Sequence, residues 1–458
     1  SLSMICNRVM SLTSIAFVGH MGPLPLASAA LASTLGNVTG NSILVGMASA
    51  MSTLGGQAFG AKSYPVLGQI LQRALVILTL SAVPIAVAWG AAERMLLALG
   101  QDPGIARASA LYIRALIPGL FFYAWNLCVQ AYLQSQRITR PSAVAGVVAA
   151  CLHVPANLLF IYGLGLGFVG AGIATSWSNG VVLCMNVGYL CFHPSRGRLS
   201  PDERTWEGWS VQAATSEWGP FLRLAIPGIL MMAEWWASEA NIIIAGWLPN
   251  PELNVAGVSI FQVTNALAFM VPVGFSVAVL TRSSNELGAG RPAHARHAGK
   301  VAFAMILVVE AVVSVVILVA RFHWARLYTD DDRIVRLVSR LLVPLAVYTA
   351  FDGVLCVATG LIKACGNQWV AGPVVVLAYY VVGLPLAYGL AFNAGLGAMG
   401  LAIGATVGTV IHSIIICVIV SRTDWGGEAR RAAERLAESK SRSQMKRTNS
   451  WWKSSRAA

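Results

Sequence analysis

Charged side chains are scarce in this sequence. Asp, Glu, Lys and Arg make up 11% of its 458 residues, whereas about 25% is usual for a soluble globular protein. At the same time 56% of the residues are hydrophobic, and the mean hydropathy is +0.67. So little charge excludes an ordinary water-soluble domain, and the composition is that of a membrane protein.

Patterns typical of disulfides, bound metals and catalytic centres are also missing. The eight cysteines fall in or beside apolar stretches and form no C-x-x-C pair or Cys/His cluster. Neither a zinc site nor a disulfide framework is therefore expected. The seven histidines form no H-E-x-x-H or related motif, which argues against a membrane enzyme. We expect no cofactor and no bound metal.

The alternating apolar and polar segments of a membrane barrel are absent as well. The apolar runs are instead continuous and rich in Ala, Leu, Gly and Val, which predicts helices. A helix needs roughly 20 apolar residues to cross a hydrocarbon core of about 30 Å. Twelve such stretches predict an all-α membrane protein, and because the first is short we expect a further segment before Ser1. The stretches centre near residues 10, 43, 82, 122, 151, 180, 234, 268, 308, 351, 380 and 408.

The formal net charge of +13 is explained by where the basic residues lie. Ten of the 32 Lys and Arg residues fall in the tail from Arg422 to Arg456. With both termini in the cytoplasm, the inward connections hold twelve more and the outward ones seven, five of which share a loop with Asp330, Asp331 and Asp332. Because cytoplasmic loops are enriched in Lys and Arg, this balance predicts cytoplasmic termini and no nucleic-acid partner.

The chain also repeats itself. "GQAFGA" (residues 56–61) resembles "SNELGA" (284–289) at an offset of 228 residues, and "GLGFVGAGIA" (165–174) resembles "GLGAMGLAIG" (395–404) at 230. Between them, "IPGLFFYAWN" resembles "VPLAVYTAFD" at 226, which pairs Asn126 with Asp352. Three pairs in the same order indicate two homologous halves.

Six spans per half give the second half the same orientation in the membrane as the first. The sequence therefore predicts an N-lobe over residues 1–192, a cytoplasmic linker over 193–219, a C-lobe over 220–421 and a basic cytoplasmic tail over 422–458. The two lobes are expected to be related by a pseudo-two-fold axis along the membrane normal. Such repeats place a substrate site between them and open it alternately to each side, which indicates a transporter.

Ionisable residues deep in the spans are expensive and point to function. Glu234 and Asp352 lie near the centres of spans seven and ten, so they share a depth suited to binding and releasing a proton. Glu239, five residues after Glu234, lies about 140° around an ideal helix and belongs to another face. We expect Glu310 to pack against a polar neighbour. Arg8 is open to two interpretations, attraction of an anionic substrate or neutralisation of an acid.

The first half carries amides where the second carries acids. Asn126 stands opposite Asp352, and a weaker alignment puts Asn7 opposite Glu234. An amide can hydrogen-bond a substrate but cannot titrate, so ion coupling is assigned to the C-lobe. The predicted coupling residues are Glu234, Asp352 and Glu239, and the predicted cavity residues are Asn7, Asn126, Trp235, Asn37 and Asn265.

Four stretches carry a resemblance to a known family. They are "FVGHMGPLPLASAALA", "NVTGNSILVGMASAMSTLGGQAFGAKSY", "LAIPGILMMAEWWASEA" and "MVPVGFSVAVLTRSSNELGAG". Together they resemble the plant and animal branch of the multidrug and toxic compound extrusion (MATE) transporters, over nearly the whole chain except the tail.

The resemblance implies a two-lobed, twelve-helix antiporter that exports organic cations, secondary metabolites or xenobiotics. The expected energy source is a proton gradient or, in some members, a sodium gradient. The Glu of the family's "EWW" motif falls on Glu234, the second Glu of span seven on Glu239, and the acid of span ten on Asp352. Some bacterial members carry an Asp in span one, and this chain has none there. We expect a monomer in the plasma membrane or the vacuolar membrane.

Several alternatives stay open at this point. A lipid-linked oligosaccharide flippase of the same superfamily would need a cationic cavity, which the acids argue against and Arg8 alone weakly supports. A major facilitator transporter has parallel repeats too, but "GAKSYPVLG" after span two lacks that family's signature. Sodium coupling is as compatible with the acids as proton coupling.

Overall fold

The computed structural model describes residues 2–192 and 204–438. Throughout these residues the chain is helical and contains no β-strand. Nine helices are long and apolar enough to cross a membrane. The shorter apolar helix Leu2–Gly19 and the helical segments 23–60 and 218–245 add three, which gives the twelve predicted spans. The predicted all-α fold is confirmed.

The spans are numbered in chain order. They are span 1 (Leu2–Gly19), span 2 (23–60), span 3 (Tyr64–Gly90), span 4 (Pro103–Ser135), span 5 (Arg140–Gly163), span 6 (Phe168–Phe192), span 7 (218–245), span 8 (Pro251–Gly288), span 9 (Pro292–Leu327), span 10 (Asp332–Cys365), span 11 (Gln368–Asn393) and span 12 (Ala398–Ser421). Short helices Ala92–Ala98 and Val211–Thr215 lie between spans, and residues 425–438 form one more helix.

The internal repeat is visible in the backbone. Span 2 is followed by Lys62 at φ 55°, and span 8 by Gly290 at φ 69°, which is 228 residues later. Span 4 is followed by Arg137 at φ 63°, and span 10 by Gly366 at φ 76°. Left-handed residues end helices in this way, and glycine adopts the conformation most easily. The same chain reversals at matching positions confirm two homologous six-span lobes.

Several spans depart from regular α-helix inside the membrane region. Span 2 contains the π-helical turn Asn37–Asn41, and span 11 contains the longer one Val376–Gly383. Span 7 is interrupted at Met231 and Met232, shortly after Pro227, so that it consists of Trp218–Leu230 and Ala233–Ala245. Widened or interrupted turns re-aim the side chains that follow them and occur often at functional sites.

The two lobes meet closely at one end of the molecule, which we call the closed end. Gly60 of span 2 lies against the backbone of Asn285 in span 8, and Gly288 of span 8 lies against the backbone of Gln57 in span 2. Gly60 and Gly288 are repeat partners, and so are Gln57 and Asn285. A side chain larger than hydrogen at either glycine would overlap the facing backbone. The helix crossing is therefore reciprocal and requires both glycines.

Hydrogen bonds between the lobes reinforce the closed end. The Gln57 amide donates to the Ala364 carbonyl oxygen at 2.9 Å, and the Asn285 amide donates to the Ser135 carbonyl oxygen at 3.2 Å. The two acceptors lie at the ends of span 10 and span 4. Each lobe therefore donates one such hydrogen bond to the other, as each supplies one glycine to the crossing. The Thr53 hydroxyl also donates to the Lys363 carbonyl oxygen at 2.7 Å.

The described part of the predicted linker is attached to the first lobe. The Gln72 side chain of span 3 donates to the Gly208 carbonyl oxygen and accepts from the Ser210 N–H, both at 2.7 Å. Arg73 donates to the Ser216 carbonyl oxygen. Residues 193–203 of the predicted linker and 439–458 of the predicted tail lie outside the described residues, and the boundaries of both stay predictions.

The loop that breaks the positive-inside pattern neutralises part of its own charge. Asp331 caps span 10 by accepting from the Arg333 N–H at 2.8 Å, and its carboxylate pairs with the Arg333 guanidinium at 2.9 Å. These bonds hold the pKa of Asp331 at about 2, well below its usual range. Arg326 pairs with Asp332 at 3.3 Å. Local pairing therefore reduces the charge that this loop presents.

The reciprocal crossing leads to a stability prediction. Gly60→Ala should lower the free energy of unfolding by about 1–3 kcal/mol, because the added methyl group must displace backbone. Gly188→Ala in span 6 is the control, since a Cβ there meets open space. It should be neutral or stabilising by about 0.5–1 kcal/mol. Thermal unfolding of the purified proteins measures both, and equal midpoints for the two variants would contradict the crossing.

Candidate functional site

Glu234 lies directly after the interruption of span 7. It is in the first turn of the helix Ala233–Ala245, which begins again after Met231 and Met232. A helix start has backbone N–H groups without internal partners, and its dipole favours negative charge nearby. The broken helix therefore supplies a polar position in the interior of the second lobe, where an unbroken span would offer only side chains.

Two residues from other spans lie beside the Glu234 carboxylate, and a third lies next to them. The Tyr379 hydroxyl of span 11 donates to Glu234 Oε1 at 2.6 Å and lies 3.1 Å from the Thr409 hydroxyl of span 12. The His412 ring of span 12 packs edge-on against the Tyr379 ring, and its Nδ1 lies 3.8 Å from Glu234 Oε2. Tyr379 is thus the hydrogen-bond partner of the carboxylate within the second lobe, with His412 and Thr409 close by.

The predicted partner Asp352 belongs to the same cluster. It is buried in span 10 and lies within electrostatic range of both Glu234 and Glu310. Glu310 of span 9 is also buried, its side chain rests on Gly353, and neither carboxyl oxygen has a hydrogen-bond partner among the described residues. The polar neighbour expected for Glu310 is therefore another acid. Three carboxyl groups share one apolar region.

The predicted cavity residue Asn265 completes this cluster from span 8. Its side chain lies beside the Tyr348 hydroxyl of span 10, and that hydroxyl also lies beside Glu234. We call Glu234, Tyr348, Asp352, Tyr379, Asn265, Thr409 and His412 the acid cluster, with Glu310 at its edge. Of the predicted residues, the structure brings Glu234, Asp352 and Asn265 together here.

Glu239 lies elsewhere, as its position on the helix predicted. Arg8 of span 1 interacts electrostatically with the Glu239 carboxylate. This interaction agrees with one of the two roles predicted for Arg8, neutralisation of an acid, and that role stays a prediction. Asn7, next to Arg8, is half-buried. These three residues form a second polar region that belongs to both lobes.

Two neighbouring tryptophans point in different directions. Trp235 is 41% exposed and meets Phe269 edge-on. Trp236 donates its ring N–H to the Ser42 hydroxyl of span 2 at 3.0 Å, which joins the lobes at the level of the span 7 interruption. Trp235 therefore has free surface that Trp236 lacks, and its role in the cavity stays a prediction. Asn37, also predicted for the cavity, is exposed and accepts a hydrogen bond from Asn41 at 3.0 Å.

Asn126 is the repeat partner of Asp352, and it lies in a neutral network inside the first lobe. Its carbonyl oxygen accepts from the Asn186 amide at 2.9 Å, and Asn186 in turn accepts from the Ser142 hydroxyl at 3.1 Å. Asn126 is only 5% exposed. Half of its hydrogen-bonding capacity is thus used internally, and its role in the cavity stays a prediction.

Sequence reasoning missed four members of the acid cluster, Tyr348, Tyr379, Thr409 and His412. Thr409 and His412 are spaced three residues apart in span 12, so they share one helix face. This spacing of polar residues within an apolar span is the signal in the sequence that could have identified them. Tyr379 lies in the π-helical part of span 11, whose register a regular helix pattern does not predict.

The contact between Tyr379 and Glu234 can be tested by its effect on stability. Tyr379→Phe removes the hydroxyl donor and leaves a buried carboxyl group less satisfied, so the free energy of unfolding should fall by about 1–3 kcal/mol. Tyr388→Phe on the same span is the control, because the Tyr388 ring is exposed and packs on Phe392. Indistinguishable thermal midpoints for the two variants would show that the hydrogen bond contributes nothing.

Comparisons with known proteins agree with this geometry. The MatE family model matches residues 1–159 and 228–389. Protein DETOXIFICATION 16 of Arabidopsis thaliana is 36% identical over 445 residues, which cover 96% of this chain and 89% of that protein. Protein DETOXIFICATION 15 of the same plant is 34% identical over 96% of this chain and 88% of its own length.

Solved structures share the fold. The crystal structure of the eukaryotic MATE transporter AtDTX14 matches with a TM-score of 0.88 and 32% identity, over 94% of this chain and 95% of that one. A MOP superfamily transporter from Pyrococcus furiosus matches with a TM-score of 0.81, 18% identity and coverage of 94% and 93%. At that identity the second match speaks for the fold alone. The family model and the relatives together cover most of the sequence, and the chain belongs to the MATE family of multidrug and toxic compound extrusion transporters.

Proposed function

We propose that the protein is an antiporter that exports organic cations, secondary metabolites or xenobiotics in exchange for protons. The observation that carries this proposal is the acid cluster, in which Glu234 and Asp352 lie buried together with Glu310 nearby. Like charges in an apolar interior cannot all be ionised at once, so such a cluster binds protons readily. The detoxification names of the plant relatives support a substrate class of foreign or toxic compounds.

Alternating access is supported by the way in which the lobes meet. The reciprocal crossing and its hydrogen bonds hold the closed end together. Arg8 of the first lobe and Glu239 of the second interact across the lobe boundary, where a substrate would bind. Rocking of the lobes about a central site would break the contacts at the closed end and open that side.

The closed end is assigned to the cytoplasm, with both chain termini on that side. Lys62, Arg137, Arg282 and Arg291 are all at this end, and the positive-inside rule places such residues in the cytoplasm. The described state is then outward-facing. A monomer in the plasma membrane or the vacuolar membrane is proposed, with a small organic substrate, protons and lipid as its partners.

Sodium coupling is the closest alternative, since carboxylates and hydroxyls also bind Na⁺. Proton coupling is favoured because the Tyr379 hydroxyl donates a hydrogen bond to Glu234 Oε1, which occupies one of the carboxyl oxygens that a bound Na⁺ would need. A flippase for lipid-linked oligosaccharides is less well supported, because Arg8 faces Glu239 and leaves little free positive charge between the lobes.

Uptake of a fluorescent organic cation into proteoliposomes tests the proposal. The variants Glu234→Gln and Asp352→Asn should lower uptake driven by an imposed pH gradient at least about tenfold, because an amide cannot carry the proton. Glu252→Gln is the control, since Glu252 is an exposed acid at the start of span 8. Exchange of substrate across the membrane without any gradient reports whether each variant still folds and binds.

Two results would contradict the proposal. Wild-type uptake by both acid-cluster variants under the pH gradient would remove these carboxyl groups from coupling. Uptake by the wild-type protein under an imposed sodium gradient, but not under a pH gradient, would replace the proton by Na⁺.

A further inference from the structure

His412 is a buried histidine without the partners that such a residue normally has. The chain has a second histidine that is equally buried, His153 in the first lobe, and its two ring nitrogens meet the Ser14 and Ser178 hydroxyls at 2.9 and 2.8 Å. Neither ring nitrogen of His412 has a hydrogen-bond partner among the described residues. An unpaired buried polar group costs stability, so its presence calls for a reason.

The Glu234 carboxyl group beside His412 supplies a reason for this unpaired histidine. Its Nδ1 lies 3.8 Å from Glu234 Oε2, the carboxyl oxygen opposite the one that accepts from Tyr379. This gap exceeds a hydrogen bond by about 1 Å, so a small shift of span 7 or span 12 closes it. Glu234 and Tyr379 face His412 directly. The other titratable and charged groups that interact with Glu234 are Tyr348, Asp352, Cys356 and Lys363, and Glu310 interacts with Asp352.

We infer that His412 is a second proton-binding group of the coupling site and exchanges a proton with Glu234. In this step the O–H bond at Glu234 Oε2 breaks and its electron pair stays on oxygen. The proton joins the lone pair of His412 Nδ1, so a neutral pair becomes a carboxylate and an imidazolium. Tyr379 then donates its hydrogen bond to the carboxylate. This inference rests on the proposed proton coupling and names a further residue of the same site.

The step has a measurable consequence. When two groups can hold the same proton, the site stays protonated up to a higher pH than either group would alone. The reason is that the protonated fraction of the site is the sum over both groups. Replacing His412 by an amide leaves only Glu234, so the coupling site should lose its proton at a lower pH. Uptake measured against pH should therefore have its midpoint lowered by about 0.3 unit when Glu234 and His412 hold the proton equally, while saturating rates fall less than about threefold.

The experiment compares His412→Gln and His412→Asn with the control His153→Gln in the same proteoliposomes. Two amide side chains of different length are used so that, if one variant folds poorly, the other still tests the inference. His153→Gln disturbs a buried histidine outside the acid cluster and should change protein yield without moving the pH midpoint. Gradient-free substrate exchange is recorded for every variant to separate binding from coupling.

The outcomes distinguish this inference from the proposed function. A lowered midpoint in the amide variants, with exchange retained, supports the role of His412. An unchanged midpoint, together with loss of proton-driven uptake in Glu234→Gln, overturns the role of His412 and leaves the coupling proposal in place. Wild-type behaviour of Glu234→Gln overturns both.

A separate observation concerns the helix of residues 425–438, which we call the tail helix. It lies across the closed end and touches both lobes. Ala429 and Ala432 pack with Leu287 and Cys365 of the second lobe, while Leu436 joins the core of the first lobe. Its buried Glu428 accepts from the Asn367 amide at 2.9 Å. The tail helix is thus anchored mainly on the second lobe and reaches over to the first.

Arg435 makes the connection between the lobes. One guanidinium nitrogen donates to Gln57 Oε1 of span 2 at 3.1 Å, and the other donates to the Cys365 carbonyl oxygen of span 10 at 3.0 Å. Gly366, at φ 76°, leaves room for the guanidinium, which any side chain at that position would meet. Removal of this cation from water lowers the pKa of Arg435, a sign that the contact is enclosed.

We propose that the tail helix is a latch that stabilises the closed end and must release the first lobe before that end opens. This rests on the proposed alternating access. Arg435 can keep both bonds only while Gln57 and Cys365 stay together, and those residues belong to lobes that separate on opening. The latch therefore sets the balance between the two access states without touching substrate.

Spin labels on Lys62→Cys and Ala293→Cys, one in each lobe at the closed end, report that balance in a background without native cysteines. Both positions are exposed. Arg435→Ala should raise the ratio of long to short label distances roughly tenfold, the change expected from losing one charge-assisted hydrogen bond. Arg435→Lys keeps the charge but cannot bridge both oxygens, and should have a similar effect.

Arg430→Ala is the matched control, because Arg430 lies on the same helix and pairs with Asp424 on its exposed side. It should leave the distances unchanged. Identical distance distributions in Arg435→Ala, Arg435→Lys and wild type would overturn the latch. If the wild-type protein itself shows only one label distance, with no second population, that result counts against alternating access instead.

Discussion

Two homologous helix ends cross at the closed end with no side chain between their backbones. The backbone of Asn285 packs directly on Gly60, and the backbone of Gln57 packs directly on Gly288. Each lobe therefore supplies one glycine that lets the backbone of the other lobe approach. Small residues permit this approach in a membrane, where apolar side chains gain nothing by leaving lipid for one another. The crossing determines where the lobes touch.

The same crossing connects the interior polar groups of the protein. Gln57 and Asn285 use their amides to hold the ends of span 10 and span 4, and Gln57 also accepts from Arg435 of the tail helix. A movement of one lobe would therefore strain contacts at the closed end and in the tail helix at the same time. Span 10 carries Asp352 of the acid cluster and ends at the closed end, so one helix joins the two regions.

Symmetry in the backbone is combined with asymmetry in chemistry. The lobes share chain reversals after equivalent spans, yet Asp352 has a neutral amide, Asn126, as its counterpart. The first lobe buries its histidine among serine hydroxyls, whereas the second buries one beside a carboxylate. The two lobes therefore have similar backbones but differ in a few polar residues, and the second lobe carries carboxyl groups that can bind and release a proton. Breaks in span 7 and span 11 then aimed Glu234 and Tyr379 at each other.

The sequence by itself determined the class of the protein, its twelve spans, its duplication and the position of its deep acids, because hydropathy, repeats and the cost of charge in lipid are local properties. It also separated Glu234 from Glu239 by helix geometry. Only the tertiary structure decided that Glu239 faces Arg8, that Tyr379 and His412 surround Glu234, and that Arg435 reaches Gln57 from more than 370 residues away in the chain. These contacts depend on helix breaks and on packing between distant spans, and neither leaves a periodic trace in the residues that take part.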